Sequence, residues 1–310
     1  MKIIQAPDDL SPRPSAACLA IGFFDGVHLG HQQVIRQALA DAARCESHPV
    51  VLTFDRHPAS VIAPERAPGL IYSLDHKLKS LADCGAPTTC LLTFNESLCR
   101  QPGEAFVRNL HAAWGRIDSI CVGHRFRFGH RRDGDVALLQ RLGLELGFQV
   151  HGLAAVSLDG EPVSSTRIRQ SLREGDFDKV DQMLGRSYRL AGRVVEGDRL
   201  GRQIGFPTAN LDAAGLALPP SGVYAVHAFC QRREHRAVLN IGVRPTLDAS
   251  QPVLRVEVHL LDFQGDLYGC DMELGFVRHL RDERKFASLD ALREQIGRDV
   301  ELARRCFPAR

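Results

Sequence analysis

Two histidines three residues apart mark the first place in this chain where chemistry is expected. An apolar run from Cys18 to Phe23 ends in Phe24-Asp25-Gly26-Val27-His28-Leu29-Gly30-His31. Apolar residues then recur at three and four spacing (Val34, Ile35, Ala38, Leu39, Ala42), which predicts a strand followed by a helix over Leu29 to Arg44. A helix start offers unpaired N–H groups and the positive end of the helix dipole, both suited to phosphate. On a helical first turn His28 and His31 share a face, and Gly30 lets backbone approach a ligand. Two donating imidazoles there would stabilise the charge that builds when a nucleoside triphosphate is attacked at its α-phosphate and pyrophosphate leaves. Taken alone, Asp25-Gly26 is equally an ordinary turn, and the histidines are equally surface polar residues. A second cluster, Ser164-Ser165-Thr166-Arg167-Ile168-Arg169, opens another helix with hydroxyls and forked donors of the kind phosphate binds, although Ser164 or Ser165 as a simple N-cap explains it as well.

A different set of groups stands in the second half. Gly197, Gly201 and Gly205 recur at four-residue spacing in Gly197-Asp198-Arg199-Leu200-Gly201-Arg202-Gln203-Ile204-Gly205, followed by Phe206-Pro207-Thr208-Ala209-Asn210. No G-K-[ST] follows, so this is not a Walker A loop. On extended chain Thr208 and Asn210 project to the same side, giving the one or two protein oxygens that magnesium commonly takes when it binds with nucleotide phosphates. In Leu254-Arg255-Val256-Glu257-Val258-His259-Leu260 the apolar residues occupy one face, and Arg255, Glu257 and His259 the other. Glu257 near a loop that holds ATP would accept the proton of an alcohol attacking the γ-phosphate; in isolation the same pattern reads as a solvated sheet face.

The elements that must carry these groups fall into two textures. Candidate strands Cys18–Phe23, Val50–Phe54, Thr89–Thr93 and Ser119–Val122 alternate with helical stretches such as Glu104–Trp114, which predicts crossover connections and an open α/β fold with a parallel sheet. Beyond residue 188, period-two runs broken by Gly and Pro (Tyr188–Val195, Val223–Phe229, Ala237–Ile241, Val253–Leu261, Met272–Val277) suit a small antiparallel barrel, closed by a helix from Ser288 to Arg305 with Ser288 as its N-cap. The expected domains are residues 1–186 and 187–310.

Composition narrows the class. With 39 Lys and Arg against 37 Asp and Glu, the charge is too balanced for a bulk polyanion binder, so no nucleic-acid partner is expected. The start of the chain shows no signal-peptide core and no later run approaches a membrane span, so a cytoplasmic protein without a membrane partner is expected. The 9 cysteines lack C-x-x-C spacing, which argues for buried thiols rather than a disulfide framework or a zinc site.

Taken in order, Phe24 to His31, Val163-Ser164-Ser165-Thr166-Arg167-Ile168-Arg169, Gly205-Phe206-Pro207-Thr208-Ala209-Asn210, Gly222-Val223-Tyr224, Asn240-Ile241-Gly242 with Arg244-Pro245-Thr246, and Val256 to Asp262 resemble the bifunctional prokaryotic riboflavin kinase/FMN adenylyltransferase family over nearly the whole chain. The resemblance implies an N-terminal nucleotidyltransferase-like Rossmann domain for adenylyl transfer. It implies a C-terminal six-stranded split barrel for riboflavin phosphorylation, with ATP as co-substrate, Mg²⁺ as cofactor, and riboflavin and FMN as the flavins handled. It places His28, His31, Asp25, Gly30, Ser165, Thr166 and Arg169 on the ATP phosphates of the first domain. In the kinase it places Gly201, Gly205, Thr208 and Asn210 on ATP, the last two also on the metal, and makes Glu257 the base. Arg281 and Phe286 fall on its flavin side. Three positions differ from the family's usual residues: Phe23 for Asn, Arg56 for Pro, and Arg125 for Asp or Asn on the flavin side of the first domain. Arginine only donates, so a flavin N–H met at Arg125 would lose its acceptor. Two narrower readings compete at this level: a riboflavin kinase alone, or a flavin- or nucleotide-binding module without turnover.

Overall fold

The computed structural model describes residues 1–10, 14–197, 201, 204–244 and 253–308. Asp198, Arg199, Leu200, Arg202 and Gln203 of the glycine loop, and Pro245 and Thr246 of the Arg244-Pro245-Thr246 motif, lie outside the described residues. The chain divides into two compact units, Met1–Arg169 with Gln182–Gly185, and Gln170–Asp181 with Arg186–Arg310.

In the first unit, β1 (Lys2–Ile4), β2 (Ala17–Ile21), β3 (His48–Phe54), β4 (Thr88–Leu92), β5 (Ile117–Gly123) and β6 (Gln149–Leu153) form a sheet in the order β1-β4-β3-β2-β5-β6, parallel at every pairing. β2 is buried on both faces, as the unbroken apolar run Ala-Cys-Leu-Ala-Ile requires. Leu19 and Ile21 join Leu52, Ile120 and Trp114 on one side, while Ala20 joins Val34, Ile35 and Val51 on the other. The helix Leu29–Cys45 turns Val34, Ile35, Ala38 and Ala42 inward, as its spacing predicts, and ends at Glu46 in the left-handed conformation. A short hairpin, β7 (Ser157–Leu158) with β8 (Glu161–Pro162), leads into the helix Ser165–Glu174.

In the second unit, β9 (Arg189–Val195), β10 (Ala209–Leu211), β11 (Gly222–Cys230), β12 (Arg233–Arg244), β13 (Val253–Leu260) and β14 (Asp271–Asp282) close into an antiparallel barrel in the order β10-β13-β12-β11-β14-β9. Alternation sorts its faces. Leu239, Ile241, Val256 and Val258 are buried on one side of β12 and β13, whereas Val223, Ala225 and Val238 pack against Val300 and Ala303 of the C-terminal helix Leu289–Cys306 and against Phe307, which follows it. Ser288 caps that helix, its hydroxyl accepting from the Ala291 N–H.

The sequence places the domain boundary between residues 186 and 187, but Gln170–Asp181 groups with the barrel. The reason is aromatic: Phe177 stacks on Phe276 at 4.3 Å and meets Tyr224 edge-on. Such pairs add about 0.5–1.5 kcal/mol beyond their buried area. A fragment starting at Gln170 is therefore expected to melt higher than one starting at Tyr188; equal melting temperatures by circular dichroism would contradict this packing.

Candidate active sites

In an open parallel sheet, ligands bind outside the carboxyl ends of the strands where the chain reverses direction across the sheet. β2 lies between β3 and β5, and the chain leaves β2 toward β3, so the switch point falls at the ends of β2 and β5. The loop after β2 carries Asp25 to His31, and the loop after β5 carries Arg125, which is exposed.

The loop after β2 is held in an unusual conformation. Phe24, Gly26 and Val27 have φ values of 55°, 77° and 43°. A β-branched residue in that region is strained, a state that persists only where the surroundings enforce it. The enforcing group is Asp25. Its buried carboxylate accepts from the backbone N–H groups of Ile71 (3.0 Å) and Tyr72 (3.3 Å) and pairs with Arg169 at 2.6 Å, while its carbonyl accepts from the Ser165 hydroxyl. Arg169 also donates to the Gly69 carbonyl at 2.7 Å. Asp25 and Arg169, expected on the phosphates, are thus tied to each other; a phosphate reaching Arg169 would share it with Asp25 and Gly69. Ser164, rather than Ser165, caps the following helix through the Arg167 N–H.

His28 is itself the N-cap of the helix Leu29–Cys45: its Nδ1 accepts from the His31 N–H. The two imidazoles stack at 3.6 Å with 18° between planes. Gly30 serves this stack, because a Cβ there would lie 3.2 Å from the His28 ring. Close approach is needed by His28, where the sequence suggested a ligand. Burial, together with the neighbouring His28 and Lys77, holds His31 well below the usual imidazole range, so it stands neutral at pH 7, and its Nδ1 has no hydrogen-bond partner among the described residues. Burial also lowers His48 and His57. All three regain their ordinary value near 6.5 on unfolding, so the unfolded chain binds more protons as pH falls below that value. The first unit, followed through the fluorescence of buried Trp114, is therefore expected to melt lower at pH 5.5 than at pH 7.5. An unchanged melting temperature would contradict it.

The barrel carries a cavity of about 1030 Å³ on the face toward the C-terminal helix, lined among others by Gly201, Thr208, Asn210, Glu257, Arg281 and Phe286. Register explains the convergence: Asn210 pairs with Glu257, Glu257 with Asn240, Asn240 with Val223 and Val223 with Arg281. Residues directly opposite on neighbouring strands project to the same face, so one lateral row across β10, β13, β12, β11 and β14 presents an amide, a carboxylate, a second amide and a guanidinium to the cavity. The loop before β10 is fixed by His259, whose Nδ1 donates to the Pro207 carbonyl at 2.8 Å and whose ring meets Phe206 edge-on. Gly197 presses on the Asn210 amide so closely that a Cβ there would lie 2.0 Å from Nδ2. Gly205 sits in the turn before Phe206 at a φ of 88° and does not line the cavity.

Arg281 is locked to the buried Asp299 of the C-terminal helix by bonds of 2.7–3.0 Å and lies over the Phe286 ring with Arg284. Asn240 was missed in the sequence, where it read as part of Asn240-Ile241-Gly242; only its register beside Glu257 gives it a role. Thr166, in the first turn of the helix Ser165–Glu174, is exposed beside the half-buried Ser165.

Comparison with known proteins now bears on both sites. A riboflavin kinase family model matches residues 184–307 and an FAD synthetase model residues 10–167. The bifunctional riboflavin kinase/FMN adenylyltransferase of Escherichia coli K12 is 38% identical over 99% of this chain and 98% of its own length. The chain belongs to this bifunctional family. The Pseudomonas fluorescens riboflavin kinase/FMN adenylyltransferase is 37% identical over 98% of the chain and 97% of its own. A crystal structure described as a macrolide-efflux protein from Streptococcus pneumoniae aligns with a TM-score of 0.78 at 28% identity, covering 97% of this chain and 98% of its own. The riboflavin kinase model thus spans the barrel with its cavity, and the FAD synthetase model spans β2 to β6 of the parallel sheet with the paired histidines.

Proposed function

We propose that the family's two activities, riboflavin phosphorylation and adenylyl transfer to FMN, divide between the two units of this chain, with the Asn210–Glu257–Asn240 row carrying the first and His28 with His31 the second. The lateral row is the observation that carries the reading: it sets one carboxylate between two amides on the wall of a cavity large enough for a flavin or a nucleotide. In the kinase step the terminal ribityl hydroxyl of riboflavin attacks the γ-phosphorus. The new O–P bond forms as the β–γ bridging bond breaks, Glu257 takes the hydroxyl proton, and ADP leaves. Arg281 and Phe286 hold the flavin side.

Thr208 and Asn210 supply neutral oxygens beside that carboxylate, a donor set that fits Mg²⁺ bound with nucleotide phosphates; when present, the ion neutralises phosphate charge. In the adenylyl step an FMN phosphate oxygen attacks the α-phosphorus of ATP and pyrophosphate leaves. His28 and His31 donate to the charge that develops, and Ser165 and Thr166 extend the phosphate contacts. The reactants are soluble metabolites, which supports a cytoplasmic reading; among the described residues no helix is long and apolar enough to cross a membrane.

Labelled nucleotide tests the division of labour. With riboflavin, label from γ-labelled ATP should enter FMN and pass with it into FAD, whereas label from α-labelled ATP should remain in ADP after the first step and, among the flavins, appear in FAD alone. Label from α-labelled ATP in FMN would contradict the scheme.

A further inference from the structure

Lys77 is a buried cation that neither step above uses. It lies on the helix Leu74–Asp83, 3% exposed, and its Nζ donates to the Phe54 carbonyl at 2.6 Å and, more weakly, to the Phe23 carbonyl at 3.4 Å. Those two carbonyls stand at the carboxyl ends of β3 and β2, where the sheet delivers its site residues. The same ammonium lies 4.4 Å from the centre of the Phe23 ring, which in turn meets His57 edge-on.

Two carbonyls and a ring do not by themselves require an ammonium. Burying one costs several kcal/mol unless an opposite charge meets it, and an apolar side chain of similar volume would fill the space at no such cost. The carboxylates within reach are already committed. Asp25 is paired with Arg169 and two backbone N–H groups, and Asp55 with Arg56 at 3.2 Å and the Phe94 N–H. With His31 and His57 held below the ordinary imidazole range by burial, three cations (Lys77, Arg169, Arg56) face two carboxylates (Asp25, Asp55), which leaves one positive charge beside His31 without a counterion among them. That imbalance disfavours the free protein and favours it once an anion arrives.

We infer that Lys77 is a positioning residue of the adenylyl site, which holds the ends of β2 and β3 together and sets behind His31 the fixed positive charge that favours the triphosphate and the departing pyrophosphate. The inference rests on the adenylyl reading of this site. Burial pushes Lys77 down to about 8, against the pull of Asp25 and Asp55, so the charge is present at pH 7 and is lost as pH rises through that value. The groups that face it are Asp25 after β2, Asp55 and His57 after β3, His31 on the helix Leu29–Cys45 and Arg169 on the helix Ser165–Glu174. Burial holds both His31 and His57 below the ordinary imidazole range.

The test uses the full chain and Lys77→Met, which keeps volume and removes charge, with Lys77→Arg as the charge-keeping control. FAD formation from FMN is followed from pH 6.5 to 9.5, and riboflavin phosphorylation in the same preparations reports on the barrel. Lys77→Met is expected to lower kcat for adenylyl transfer roughly 10- to 100-fold, to leave KM for FMN and the phosphorylation rate within about twofold, and to abolish the alkaline fall in rate near pH 8; Lys77→Arg should recover most of the loss. Parent-like kcat in Lys77→Met, an alkaline fall that persists in it, or equal losses in the Met and Arg variants would overturn the role of Lys77. The adenylyl reading itself fails separately, if the parent makes no FAD.

Discussion

Glu257→Gln is expected to abolish riboflavin phosphorylation while the same protein still converts supplied FMN to FAD. Glutamine keeps the shape of the side chain and its ability to hydrogen bond between Asn210 and Asn240, but it cannot take the proton of the attacking hydroxyl. Loss of a positioned base lowers rate by on the order of 10² to 10⁴. The row itself should survive, because strand pairing through backbone groups sets it. Thr208→Ala should lose less, through nucleotide and metal placement, and should raise KM for ATP more than it lowers kcat. Near-parental kinase activity in Glu257→Gln would remove the glutamate from the mechanism.

His31→Ala carries the second large effect, in the other unit. Adenylyl transfer to FMN should fall about 10²- to 10³-fold, the cost of removing one preorganised donor from developing phosphate charge. Riboflavin phosphorylation should be almost unchanged, since every residue lining the barrel cavity comes from residues 201–299. His28 complicates the variant in a measurable way: it stacks on His31 and caps the helix through the His31 N–H, which alanine retains. The helix should therefore remain, and the loss should appear in kcat without a fall in melting temperature. Equal FAD from parent and variant would refute the role of His31.

Much of this architecture is legible in the chain because burial on both faces forces long apolar runs, as in β2 and β3, and because Leu29–Cys45 turns one apolar side inward. β1, β6 and β10 escaped for two reasons. β1 and β10 have 3 residues each, too few for a period to show, and β6 lies mostly at partial exposure. The kinase row was legible only as separate motifs. Thr208 and Asn210, Glu257, and Arg281 each suggested a ligand, but nothing local says that Asn210, Glu257, Asn240 and Arg281 fall in one lateral line, because register depends on strands far apart in sequence. In the first unit the motif residues were found and some of their partners were not. Asp25 and Arg169 are 144 positions apart, and only the fold shows that they hold each other. Lys77 gave no signal at all, since a lysine in a helix ordinarily reads as solvent-exposed.

The claim that one chain performs both steps is tested most directly by incubating the full-length protein with riboflavin, ATP and Mg²⁺ and separating the flavins by chromatography over time. FMN should appear first, then FAD at its expense, with ADP and pyrophosphate as co-products. Arg125 makes the second peak the decisive one: it stands exposed after β5, and a flavin N–H that met it there would find a donor and no acceptor. FMN that accumulates without any FAD would contradict bifunctionality, and no FMN at all would contradict the account of the barrel.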